Sequence, residues 1–144
     1  MNKIYKIFKK FQNLGKKILG IPENVIFKSD FPDGKLIGKP EQIGAFSIID
    51  YGGNVKIGKN VKIGYGVIIL SVSTIVGTQK EEIIRKPVII GDNVEIGSNT
   101  VILPGVKIGN NSTIGAGAVV PMNTVIPENS IAVGIPVKVI KNKK

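Results

Sequence analysis

Ile90-Gly91-Asp92-Asn93-Val94-Glu95, Ile96-Gly97-Ser98-Asn99-Thr100-Val101, Ile102-Leu103-Pro104-Gly105-Val106-Lys107, Ile108-Gly109-Asn110-Asn111-Ser112-Thr113 and Ile114-Gly115-Ala116-Gly117-Ala118-Val119 are consecutive copies of one six-residue phrase. Each copy opens on an aliphatic residue, usually followed by Gly, and places a small or β-branched residue four positions later. A helix would impose a period of about 3.6 residues and a half-buried strand one of about 2. A period of six fits neither. It is the signature of a parallel β-helix, in which each six makes a short strand and a turn. The aliphatic residue then points to the axis, the small residue lies under a corner, and Gly relieves the backbone at the bends. Stability becomes roughly a sum over stacked coils.

The phrase recurs upstream at Ile57-Gly58-Lys59-Asn60-Val61-Lys62 and Ile63-Gly64-Tyr65-Gly66-Val67-Ile68, and in outline at Ile37-Gly38 and Ile43-Gly44. Coils are therefore expected over 37–140, after a connecting segment 23–36. Ile49 and Ile57 stand eight apart instead of six, so Asp50-Tyr51-Gly52-Gly53 is expected to widen a corner. Residues 76–87 are charged and off-period and read as a loop thrown out from the coil, a common place for function on a repeat scaffold. Residues 1–22 read as an amphipathic helix, with Ile4, Ile7, Phe8, Phe11, Leu14 and Ile18 between six Lys, stopped by Gly20 and Pro22. Two readings of that helix stand open: it lies on an anionic membrane surface through residues 1–20, or it covers the open first coil. Residues 141–144 read as a basic tail.

The 144 residues suit one domain, and 42% apolar content supplies a continuous core. Cysteine is absent, so a disulfide framework and thiolate metal sites are excluded, and nothing argues for secretion. No apolar stretch is long enough for a membrane-spanning helix and no cleavable signal is visible, so the expected location is cytoplasmic, with contact at the inner face of the membrane as the variant. The net charge of +10 sits at the ends. Residues 1–20 carry six Lys and no acid, residues 138–144 four Lys and no acid, and the stretch between them ten basic against ten acidic residues. A neutral solenoid without interleaved aromatic and basic residues argues against nucleic acid as a partner.

These phrases resemble the hexapeptide-repeat acyltransferases, left-handed parallel β-helix enzymes that transfer an acetyl group from acetyl-coenzyme A. The resemblance covers roughly Ile37 to Lys141 and is most specific in Lys86-Pro87-Val88-Ile89-Ile90-Gly91-Asp92-Asn93, Ile102-Leu103-Pro104-Gly105-Val106, Ile114-Gly115-Ala116-Gly117-Ala118-Val119-Val120 and Ile131-Ala132-Val133-Gly134-Ile135-Pro136-Val137-Lys138-Val139-Ile140. The left hand of the coil is implied by that resemblance, not by the spacing. So are a homotrimer, acetyl-CoA as donor in the groove between neighbouring solenoids, and a sugar or amino-sugar acceptor near the extruded loop, in surface polysaccharide biosynthesis. By position, the resemblance assigns cofactor contacts to Gly97, Gly105, Ala116, Gly117 and Ala118, and places Gly134, Lys138 and Lys141 beside the adenine and 3′-phosphate. Small residues admit backbone N–H groups to a cofactor and a Lys charge attracts phosphate.

The family generally uses a His as general base, and this sequence has none. By alignment Tyr51, after Asp50, and Lys86, before Pro87, occupy the two His positions of the serine acetyltransferase branch. The sugar acetyltransferase position falls near Val72, between Ser71 and Ser73. Three accounts follow. A carboxylate of Asp50, Glu81, Glu82, Asp92 or Glu95 takes the proton; or the acceptor is an amine that needs only weak help from Tyr51, Ser71 or Ser73; or the chain is a catalytically silent scaffold or partner subunit. A general base contributes about 10² to 10⁴ in rate, and positioning two substrates can supply as much. No metal site is expected: a γ-class carbonic anhydrase would need three His.

Overall fold

The computed structural model describes residues 22, 24–74 and 82–142. The expected N-terminal helix lies outside the described residues apart from Pro22, as do Glu81 and the last two lysines.

The chain winds as a three-sided prism. Sheet A stacks Ile26–Lys28, Ile48–Asp50, Ile68–Leu70, Val101–Ile102 and Val119–Val120. Sheet B stacks Leu36–Ile37, Val55–Ile57, Val88–Ile90, Lys107–Ile108 and Val125–Ile126. Sheet C stacks Gln42–Ile43, Lys62–Ile63, Glu95–Ile96, Thr113–Ile114 and Ser130–Val133. All of these pairings are parallel, as an all-β solenoid requires. The chain visits A, B and C in turn, so AB, BC and CA corners alternate along it.

Inward columns follow the six-residue phrase. Ile49, Ile69, Ile102 and Val120 are register partners in sheet A and are fully buried. Ile57, Ile90, Ile108 and Ile126 do the same in sheet B, and Ile63, Ile96, Ile114 and Ala132 in sheet C. The residues four places after each opening aliphatic, Val94, Thr100, Val106, Ser112 and Ala118, are buried too. Each fully buried Ile or Val contributes about 1.5–3 kcal/mol. Where the small position is polar, its hydroxyl is bonded: Thr100 Oγ1 donates to Gly97 O at 2.7 Å and Ser112 Oγ to Pro127 O at 2.8 Å. Among the described residues no buried side-chain polar atom lacks a partner.

A regular coil takes eighteen residues, as from Ile102 to its partner Val120. Ile49 to Ile69 takes twenty, the extra length falling in the AB corner after Asp50. Ile69 to Ile102 takes thirty-three, because the chain leaves the coil between sheets A and B. That excursion begins and ends in an antiparallel pair, Val72–Ser73 with Ile84–Arg85.

Two features of the first coil differ from the sequence reading. Pairing begins at Ile26–Lys28, inside the stretch read as connecting. Ile37 does not open a phrase inward: Leu36 pairs with Val55 and Ile37 with Lys56, so Ile37 faces out and is 53% exposed. Adjacent strand residues face opposite sides, and Leu36 is the one that packs against the core. At the other end the chain reverses, and Lys138–Asn142 returns antiparallel along Ser130–Val133, reaching into the expected tail.

Candidate active site

Most of the residues singled out in the sequence gather at two corners, on either side of sheet A. Asp50 ends a sheet A strand, and its Oδ1 accepts the Gly52 N–H at 2.9 Å, an Asx-type turn that aims the carboxylate along the AB corner. Ser71 lies one rung on, fully buried. Its hydroxyl donates to Asp50 O at 2.7 Å and accepts the Gly53 N–H at 2.8 Å. Its oxygen is thus engaged on both sides by backbone. Tyr51 is half-buried and packs against the core. Ser73 is half-buried at the base of the excursion.

Lys86 closes the same corner. Its backbone N–H donates to Ser71 O at 3.0 Å, and its ammonium donates to Asn123 Oδ1 at 2.9 Å. Gly105, with φ +81°, lies beneath it: a Cβ there would meet Lys86 Cδ at 3.3 Å and Asn123 Oδ1 at 2.6 Å. Gly105 therefore belongs with Lys86 and not with the other small residues assigned to the cofactor. Arg85 locks the excursion down. Its Nε and Nη2 donate to Gly52 O at 3.1 and 2.6 Å, Nη2 also meets Asp33 Oδ1 at 2.8 Å, and the guanidinium sits 4.1 Å from the Phe31 ring centroid. The hydrogen bond from Arg85 holds the Asp33 carboxyl below its ordinary value.

The CA corner is barer. Gly97, Ala116 and Gly117 stand there on successive rungs, with Gly134 above them, its carbonyl accepting the Val119 N–H at 3.1 Å. Gly97 has to be glycine, because a Cβ would meet Ala116 N at 2.4 Å. A Cβ on Gly117 would meet nothing within 4 Å, so that position opens to solvent. Ala118 differs: it is fully buried and offers a ligand only backbone. Glu95 points outward on sheet C and lines a shallow concavity of about 360 Å³ with Gln42, Lys62, Gly97, Thr113 and Ala116. It is thus placed with the cofactor-side residues and away from Asp50. Lys138 and Lys141, exposed on the final strand, pair with Val133 and Ile131 at the top of sheet C. Asp92 Oδ1 accepts the Lys59 N–H at 2.8 Å at the BC corner, remote from both groups, and Glu82 is exposed on the excursion.

Between the two corners the outer face of sheet A is apolar. Ile26, Ile48, Ile68, Val101 and Val119 are register partners there. The outer faces of sheets B and C instead mix Lys56, Lys62, Glu95 and Lys107 with apolar residues.

Sequence reasoning missed two sets of residues. At the BC corner Asn60, Asn93, Asn111 and Asn129, each near φ +56 to +59°, form a side-chain ladder with bonds of 3.0, 3.0 and 3.2 Å. At the CA corner Phe46 and Tyr65 stand 72% and 63% exposed. Aligning the phrases shows the signal for both: the left-handed position is Asn or Gly in every phrase but that of Ile43, where it is Phe46.

Residues 87–121 match the family model described as bacterial transferase hexapeptide, six repeats. Within these residues the chain carries hexapeptide repeats of that family's kind. No curated protein sequence matches it. Among solved structures the chain is similar to a hexapeptide-repeat-containing acetyltransferase from Vibrio cholerae complexed with acetyl-coenzyme A, at 27% identity over 84% of this chain and 72% of that one, TM-score 0.60. It is also similar to a variant of AntD, an N-acyltransferase from Bacillus cereus, in complex with dTDP and coenzyme A, at 25% identity over 86% of this chain and 70% of that one, TM-score 0.69. The fold is consistent with the left-handed coil that the resemblance implied.

Proposed function

We propose that this protein is an acetyl-CoA-dependent acetyltransferase whose acceptor is a sugar or nucleotide sugar, and that it works as a homotrimer. The observation that supports the reading is that two groups of candidate residues stand on opposite edges of one apolar sheet. The CA corner offers backbone beside Gly97, Ala116 and Gly117, with Lys138 and Lys141 above it; the AB corner offers the Asp50 carboxylate and the Lys86 ammonium. Cyclic packing through the apolar face of sheet A brings the AB corner of one copy against the CA corner of the next. Similarity to an acetyltransferase complexed with acetyl-CoA and to an N-acyltransferase complexed with dTDP supports donor and acceptor class.

An amine acceptor suits these residues best. The acceptor nitrogen attacks the thioester carbonyl, the new N–C bond forms, the C–S bond breaks, and coenzyme A leaves as the thiol. A carboxylate is too weak a base to take a proton from an alcohol before attack, but it can take one from the ammonium formed as an amine adds. Asp50 is the candidate for that step, held through Gly52 and ultimately by Arg85. The leaving sulfur is the final destination of a proton, so no base is consumed. The proposal extends to a cytoplasmic enzyme of surface polysaccharide biosynthesis.

Calorimetry with acetyl-CoA tests it. Saturable binding is expected, weakened by Lys138→Ala and Lys141→Ala. Asp50→Asn should leave donor binding intact and lower kcat on an amino-sugar acceptor by about 10² or more. No binding at millimolar donor would leave the other reading, a catalytically silent scaffold, in its place.

A further inference from the structure

We propose that Phe46, Tyr65 and Asn99 form a subsite for the planar base of a nucleotide-activated acceptor; the inference rests on the acyltransferase reading and deepens it. Phe46 is held at φ +62°, a conformation unfavourable for a bulky side chain and filled at the equivalent corner position by Gly66, Asn99 and Gly117 in later coils. Its ring gains no compensating burial, at 72% exposure. A backbone strain retained to present an aromatic ring in the proposed cleft between copies is explained by a ligand for that ring.

The surroundings fit a base. Ala45 and Phe46 stack directly under Tyr65 and Gly66, the Gly66 N–H donating to Ala45 O at 2.9 Å, so the two aromatic side chains leave the CA corner from diagonal positions on adjacent rungs, and rungs are spaced about 4.8 Å. Gly66 supplies no side chain, and Asn99 Oδ1 lies 2.7 Å from where its Cβ would be, which hangs an amide over the gap. Two ring faces and one amide edge are the groups that recognise a base: stacking on its π-face and hydrogen bonds to its edge. Tyr65 is fixed by its N–H to Ser98 Oγ at 3.1 Å and its carbonyl to the Asn99 N–H at 2.8 Å. The same corner continues upward to Ala116 and Gly117, so a base held here lies on the track of the donor site, toward its lower end.

The test is calorimetry of dTDP, UDP and inorganic pyrophosphate, with acetyl-CoA titrated in parallel. The nucleotides should bind at least about tenfold more tightly than pyrophosphate, since stacking supplies the difference. Phe46→Gly keeps the left-handed backbone and removes the ring. It should raise Tm, weaken both nucleotides about tenfold, and leave acetyl-CoA affinity unchanged. Tyr65→Ala should weaken them in the same sense. Equal affinity for pyrophosphate and nucleotides, or nucleotide affinity untouched by Phe46→Gly, overturns the subsite. A Phe46→Gly protein that dissociates into monomers with nucleotide affinity unchanged overturns it too, by showing that a second copy covers the ring. Acetyl-CoA binding without nucleotide binding rejects this inference alone; loss of both rejects the acyltransferase reading with it.

Discussion

The BC and CA corners have the same backbone geometry and opposite contents. Each puts one residue per coil in the left-handed region. At BC these are Gly38 in the first coil and then Asn60, Asn93, Asn111 and Asn129; at CA, before the chain reverses at Gly134, they are Phe46, Gly66, Asn99 and Gly117. Asn tolerates that conformation and its amide can bond the next Asn, so the BC corner becomes a continuous ladder running with the coil axis. The CA corner gives up that ladder. Two of its four positions carry no side chain and one carries an exposed ring. A corner that only had to hold the coil together would be free to repeat Asn, so the irregular corner is the one expected to meet ligands.

Matched glycine substitutions test this with the largest effect. A Cβ on Gly97 would meet Ala116 N at 2.4 Å, and one on Gly91 would meet Asn110 Oδ1 at 2.4 Å and Asn110 N at 2.8 Å. Gly97→Ala and Gly91→Ala should each cost about 1–3 kcal/mol in chemical denaturation, as overpacking does. Only Gly97→Ala should also weaken acetyl-CoA binding, because it forces apart the rungs that carry Ala116. Equal weakening by the Gly91 substitution would erase the functional distinction between the corners.

A smaller effect is expected within the ladder. Asn93→Ala removes bonds of 3.0 Å on both sides and puts Ala at φ +56°, for a loss of about 2 kcal/mol. Asn93→Gly keeps the conformation and should lose about 1 kcal/mol or less. Asn99→Ala, at φ +58° without a ladder, should lose only the conformational part, about 1 kcal/mol. Denaturant midpoints for the three variants separate hydrogen bonding from backbone strain. A loss at Asn99 as large as that at Asn93 would mean that the ladder bonds contribute nothing.

The period of six was legible because burial repeats with it: Ile90, Ile96, Ile102, Ile108 and Ile114 all face the axis. The first coil was not, for two local reasons. Leu36 and Ile37 are both aliphatic and Gly38 follows Ile37, so the phrase points to Ile37, one residue late, and one residue reverses the face. Phe27 sits in the sheet A column, paired with Ile49, without a following Gly to announce it. Among site candidates, Asp50 and Lys86 stand at one corner through the widened turn and the base of the excursion, a juxtaposition that their separation in the sequence does not announce. Ser71 could not be judged, because a hydroxyl read from a sequence gives no sign of whether backbone already holds it. The Asn ladder went unread because Asn at a turn is expected for its backbone alone, and only the stacking of coils eighteen residues apart joins one Asn to the next.

The smallest effect concerns the first coil, outside both corners, where Arg85 ties the excursion to Asp33. The bond from Arg85 lowers the Asp33 pKa from its ordinary 3.8. A carboxyl more acidic in the folded chain than in the unfolded one adds stability that is fully present above the unfolded value and is lost as pH falls through the folded one. Stability should therefore decline shallowly below about pH 4, and Asp33→Asn should flatten that part of the decline while leaving the neutral-pH value nearly unchanged, since the pair is exposed and screened. Arg85→Ala should flatten it equally and, unlike Asp33→Asn, should also release Gly52 O and with it the turn that aims Asp50. Denaturant midpoints from pH 3 to 7 for the two variants separate these roles. Identical activity in both would show that Arg85 acts on the fold alone and that the aim of Asp50 is set within its own turn.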